Sequence, residues 1–143
     1  MWKNLAAQAS FAILALVATT PAAAAQSDTD YANASAERFF TGVRSGKVED
    51  AVRAFFADAK LMQSKTSELT FLATQISGIT AGYGPMGSCI LADRKVRSAY
   101  VVRHIYHCQH REFLTRWTLD FGQTSSGWIG MNLAFDDKLF DGS

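Results

Sequence analysis

The sequence predicts an α+β domain in which amphipathic helices are followed by a meander of antiparallel strands. Three observations predict it. From Ala32 to Tyr83 apolar residues recur at three- and four-residue spacing, the signature of helices that bury one face. From Cys89 to Phe135 the spacing drops to two, as in half-buried strands. Gly82, Gly84, Pro85 and Gly87 punctuate the change, where neither pattern can continue.

A leader precedes these elements. Lys3 is followed by an apolar run containing Phe11, Ile13, Leu14, Leu16 and Val17, then by Pro21 and alanines through Ala25. A positive start, a short apolar centre and small residues at Ala23 and Ala25 are the layout of a secretory signal peptide, cut after Ala25. A membrane-spanning helix needs ~20 predominantly apolar residues, whereas Asn4, Gln8, Ser10, Thr19, Thr20 and Pro21 interrupt this run. The expectation is a signal peptide over residues 1–25 and one exported domain, periplasmic or secreted, over residues 26–143. No membrane contact is expected after cleavage.

The first helix carries Ala32, Ala36, Phe39, Phe40 and Val43 on one stripe, and Arg44, Ser45 and Gly46 end it with a cation and then a glycine. The second is read as continuous from Val48 to Met62. Val48, Ala51, Val52, Phe55, Ala59 and Met62 share its apolar face, and Glu49 and Asp50 occupy the first turn, where the macrodipole favours anions. A third helix takes Thr66 or Ser67 as its N-cap and carries Leu69, Leu72, Ala73, Ile76 and Tyr83. Strands follow at 88–96, 99–109, 113–122 and 127–136. The third directs Phe113, Thr115, Trp117, Leu119 and Phe121 to the core. The fourth alternates Ile129, Met131, Leu133 and Phe135 against Trp128, Gly130, Asn132 and Ala134, after a polar hairpin loop at Gln123 to Ser126.

Cleavage leaves 118 of the 143 residues, the length of a single domain. Lys3 is the only one of the 14 Lys and Arg residues in the leader, so 13 cations balance 13 anions in the remainder. Such a chain lacks the clustered excess of cations that nucleic acid or an anionic membrane demands, and neither is expected as a partner. Cys89 and Cys108 are the only cysteines. In an oxidising compartment a disulfide is the leading expectation, with two buried thiols as the alternative.

A hairpin turning near Ser98 sets Cys89 opposite Cys108, Leu91 opposite Tyr106 and Asp93 opposite His104. A second turn near Arg111 sets Tyr106 beside Trp117 and His104 beside Leu119, with Arg94, Arg103 and Arg116 directed to solvent. Asp93 and His104 then form a polar pair on the core side. They are the candidate catalytic residues, because a carboxylate favours the charged imidazole while burial opposes it, which can poise the pair for proton transfer. The alternative is a satisfied structural pair. His104, His107 and His110 do not suit one metal ion: side chains alternate along a strand, and the outer two lie about 20 Å apart at ~3.3 Å per residue. Cys89, Cys108 and His110 can meet around zinc only if the thiols escape oxidation, so neither metal nor cofactor is expected.

The helical segment Ala36, Glu37, Arg38, Phe39, Phe40 followed by Ser45 and Gly46, the Gly82, Tyr83, Gly84, Pro85 entry to the sheet, and Gly127, Trp128 through Phe135, Asp136, Asp137 together resemble the superfamily of nuclear transport factor two and ketosteroid isomerase. The chain looks like its small exported bacterial members. The resemblance implies a cystatin-like cone, with the N-terminal helices packed in the hollow of a curved antiparallel sheet. That scaffold serves enzymes and non-catalytic binding or dimerisation modules alike, and no residue here matches an enzyme member's catalytic set, so none is carried over. On such a cone Phe39, Phe40, Tyr106, Trp117 and Phe121 would line a ligand pocket in the hollow. The outer sheet face, with Ile90, Val101, Ile105, Trp128 and the three arginines, would serve a homodimer, a solvated face being the alternative.

The leading expectation is an exported, non-catalytic module that binds a small apolar ligand or a protein partner. A small acid/base enzyme using Asp93 and His104 is the second. A structural dimer module is the third; it predicts no accessible cavity, and an interior filled by Phe39, Phe40, Trp117, Phe121 and Phe135 in mutual contact would support it.

Overall fold

A computed structural model describes residues 27–140, so the expected leader and cleavage site lie outside the described residues. Within them, helices α1 (Asp28–Arg44), α2 (Val48–Phe55), α3 (Lys60–Gln63) and α4 (Thr66–Tyr83) precede strands β1 (Met86–Ser98), β2 (Val101–His110), β3 (Leu114–Thr124) and β4 (Gly127–Asp136). The strands form one curved antiparallel sheet in the order β1-β2-β3-β4. The helices cover one face of it, α1 packing on α2, α2 on α4, and α1 also touching β1, β3 and β4. The fold is α+β, as the change of period predicts.

The Ser27 hydroxyl caps α1 by accepting the Asp30 N–H at 3.1 Å, and Asp28 and Asp30 complement the helix dipole. Gly46, at φ 75°, takes the left-handed conformation that turns the chain into α2. The expected stripe Ala32, Ala36, Phe39, Phe40 and Val43 is buried. The expected continuous second helix is not observed: α2 stops at Phe55, and a turn leads to the short α3. The chain leaves the helix at Phe56 and turns through Ala59, whose φ of −94° and ψ of 85° are not helical, and Phe55 and Phe56 are both buried at this break with ring centroids 4.9 Å apart. The Gln63 amide holds the turn by donating to the Phe56 carbonyl at 2.6 Å. Helix α4 starts one residue earlier than expected, with Lys65 at the cap and no side-chain capping bond.

The interior is filled by aromatic rings. Phe39 meets Phe40, Phe55 and Trp117 at centroid distances of 5.2, 6.0 and 5.7 Å, Trp117 meets Phe135 at 5.0 Å, and Phe55 meets Phe121 at 5.5 Å. Tilted and edge-on contacts of this kind add ~0.5–1.5 kcal/mol per pair beyond the burial of area.

Much of the expected register is observed. Cys89 pairs with Cys108, Leu91 with Tyr106, Tyr106 with Trp117 and His104 with Leu119. Cys89 and Cys108 are joined in a disulfide with Cα atoms 4.0 Å apart. Irregularities, three in β1 and one in β4, alter the rest, and two of them matter most here. In β1 Ala92 is an extra residue, so Asp93 stands opposite Ile105 and Arg94 opposite His104. In β4 the register steps from Asp120↔Asn132 to Phe121↔Gly130, leaving Met131 as the extra residue. That step reverses the expected faces: Gly130 and Trp128 turn toward the helices, and Met131 is 46% exposed. Gly130 permits the contact, since a Cβ there would lie 2.4 Å from the Phe55 carbonyl oxygen. Phe113, expected in the core, precedes β3 and is half exposed, its ring against Tyr83 at 5.3 Å.

Candidate functional site

Asp93 and His104 do not meet. The bulge at Ala92 puts Asp93 on the exposed side, where its carboxylate faces Lys95 Nζ at 3.6 Å, while His104 is fully buried on the inner side. Arg94 takes the place expected of Asp93. Instead of pointing to solvent it forms an ion pair with Asp28 at the start of α1. His104 Nδ1 lies 3.3 Å from the Tyr106 hydroxyl, and among the described residues His104 Nε2 and Arg94 Nε have no hydrogen-bond partner. Burial lowers the His104 pKa, and the Arg94 charge lowers it further against the opposing pull of Asp28. His104 is therefore a neutral group held away from solvent, without the carboxylate that a proton-transfer pair requires.

His110 is accounted for by structure alone. Its Nδ1–H donates to the Gly84 carbonyl at 3.0 Å, and its Nε2 lies 2.9 Å from the Thr115 hydroxyl, which accepts the Trp117 indole N–H at 2.8 Å. This chain satisfies three buried side chains at once and fixes the helix-to-sheet turn to the core. His107 lies on the other face, opposite Ile90.

The expected pocket residues divide. Phe39, Trp117 and Phe121 are at most 1% exposed and interlock as core. Phe40 and Tyr106, whose rings are 5.1 Å apart, form the floor of an open groove of about 550 Å³ between α1 and β1. The disulfide at Cys89, Ala36 and the half-exposed Leu91 extend its apolar surface. Asn33, Glu37 and Arg44, all on α1, form a polar rim. Arg44 is fixed by donating to the Gly87 carbonyl at 3.3 Å and by approaching Glu37 at 3.9 Å. Burial, reinforced by the Glu37 charge, pushes the Tyr106 pKa up to about 12, so its hydroxyl keeps its proton.

Comparison with family models, curated proteins and solved structures finds no match to this chain. The geometry alone therefore carries the functional reading. An apolar floor with a carboxylate, a guanidinium and an amide along one rim is the usual composition of a small-molecule site. Sequence reasoning placed Phe40 and Tyr106 near a ligand but missed the rim, because Asn33, Glu37 and Arg44 read as the solvated face of an amphipathic helix. Their spacing on one side of α1 was the available signal.

On the outer sheet face, Arg103 makes a two-pronged ion pair with Asp120 at 2.7 and 2.9 Å, and Asn132 donates to the same carboxylate. Arg116 pairs with Asp136 at 2.9 Å. Of the apolar residues expected there, Ile105 is 6% exposed and Trp128 packs on the inner side, leaving Ile90 as the large exposed one.

Proposed function

We propose that this protein is an exported, non-catalytic binding module that takes a small, largely apolar ligand in the groove between α1 and β1. One observation carries the reading: the hollow is filled by aromatic side chains, so the ligand surface is displaced to its edge, where Phe40, Tyr106 and Leu91 floor a groove rimmed by Glu37 and Arg44. The ligand that fits has an apolar body and one end able to exchange hydrogen bonds with that rim. The disulfide supports an oxidising compartment. No described helix is long and apolar enough to cross a membrane, which is compatible with export.

The acid/base alternative loses its support with the separation of Asp93 from His104. The filled interior supports the structural dimer reading, but the open α1–β1 groove departs from it, and ion pairs occupy much of the sheet face that Trp128 has left. The scaffold assignment to the cone superfamily remains a proposal resting on the order of elements.

Native mass spectrometry of the protein purified from its export compartment tests the reading. The expected spectrum shows a chain beginning at Gln26, two hydrogens lighter than the reduced form, with a non-covalent small-molecule adduct. The adduct should vanish in Leu91→Asp, a change at a half-exposed groove residue. A bare polypeptide in both proteins, or an adduct indifferent to Leu91→Asp, would overturn the site.

A further inference from the structure

A second groove, remote in sequence from the first, lies between α3 and the β3–β4 hairpin and encloses about 450 Å³, within the ~300–1,000 Å³ typical of small-molecule pockets. Its apolar walls are Leu61 and Met62 from α3 and Ile129 and Met131 from β4. Leu61 is 83% exposed and Met131 46%, and with Met62 and Ile129 they bring exposed apolar surface together at one place. Met131 is there because of the β4 bulge, so the same irregularity that packs Gly130 against Phe55 also supplies this wall.

Lys60 and Lys65 border the groove, and neither makes an ion pair among the described residues. Asp58 also borders it, but its Oδ2 accepts the Tyr31 hydroxyl at 2.8 Å and is thereby tied to α1. Two lysines against the single carboxylate of Asp58 leave this rim with a net positive charge, and beside an exposed apolar trough that defines the complement: an alkyl chain ending in an anion. We propose that this groove binds a free single-chain anionic amphiphile, with the chain along Leu61, Ile129 and Met131 and the anionic head between Lys60 and Lys65. The flexible thioethers of Met62 and Met131 suit a chain of variable length.

The site is independent of the α1–β1 groove, and calorimetric titration separates the two. Dodecanoate below its micellar concentration should bind saturably, dodecyl maltoside weakly and dodecyltrimethylammonium not at all. The double variant Lys60→Glu/Lys65→Glu should weaken dodecanoate binding roughly tenfold, as two exposed charge interactions allow, and Leu61→Asp should abolish it. Leu61 is too exposed for that change to unfold the chain, which circular dichroism checks. Leu91→Asp should leave dodecanoate binding intact. Equal affinity for the cationic amphiphile, indifference to Leu61→Asp, loss of binding in Leu91→Asp, or binding only to vesicles of anionic phospholipid would each overturn the assignment.

Discussion

His104 is fully buried, with Arg94 beside it and Nε2 unpartnered among the described residues, so protonating it in the folded protein is costly. Its folded pKa lies below the usual 6.5 while the unfolded chain keeps the usual value. In that window the unfolded state binds more protons, and stability must fall as pH drops below about 6.5. Asp120 acts at lower pH. Burial alone raises its carboxyl, but hydrogen bonds and charge from Arg103 and a bond from Asn132 outweigh this and lower it below 3.8. Its contribution is present above the usual carboxylate range and is lost on further acidification. Urea midpoints measured as a function of pH should therefore decline in two stages, and His104→Gln should flatten the upper one while leaving the lower. Gly130 makes a separate prediction: Gly130→Ala drives a methyl group into the Phe55 carbonyl and should cost about 1–3 kcal/mol by urea denaturation. Neither effect is legible in the sequence, where Gly130 reads as one outward position of an alternating strand and His104 acquires a carboxylate partner only if the register runs without interruption.

The bulges are the element-scale cause of those two departures. Strand period with a turn set near Ser98 places Cys89 opposite Cys108 although two extra residues of β1, Ala92 and Arg97, lie between that pair and the turn. Beyond Ala92 the count is off by one, and a single extra residue exchanges the two faces. The β3 pairing lacks any bulge against β2, so Tyr106 beside Trp117 and His104 beside Leu119 follow directly from the turn near Arg111. Helix boundaries show the same limit: Ala59 and Met62 continue the spacing of α2, so apolar periodicity alone does not mark the turn between Phe55 and Lys60. Strand β1 is the sheet's weakly buried edge, with three register irregularities and Met86 as its buried residue. The disulfide is what ties it covalently to β2. Replacing both cysteines by alanine should lower stability by about 3 kcal/mol. Amide exchange should accelerate selectively along β1, whereas uniform acceleration would assign the bridge a global role.

For the molecule as a whole, the balance of filled interior and open edge determines what it can bind. Phe39, Trp117 and Phe121 close the hollow, so apolar ligands meet the protein at its edges, first of all where α1 parts from β1. The aromatic residues were legible as a cluster from their periodicity, but whether a cluster lines a cavity or fills one depends on helix-to-sheet distance, which periodicity does not encode. Alkaline conditions probe the same packing. Burial first, and the Asp58 hydrogen bond second, push Tyr31 up to about 12, and burial with Glu37 does the same for Tyr106. Their contribution is fully present below the usual tyrosine value of 10.0 and is lost as pH rises toward 12. Tyr106→Phe should therefore make the alkaline loss of stability smaller in pH-dependent thermal unfolding.

The central claim, that ligand binds at the edge of the hollow and not inside it, is tested most directly by chemical-shift mapping of the nitrogen-labelled protein with Nile red, a neutral apolar probe. The account predicts perturbations confined to amides around Asn33, Glu37, Arg44, Leu91 and Tyr106, with Trp117 and Phe121 unmoved. Perturbations centred on Trp117 and Phe121, or spread over the outer face around Arg103 and His107, would contradict it.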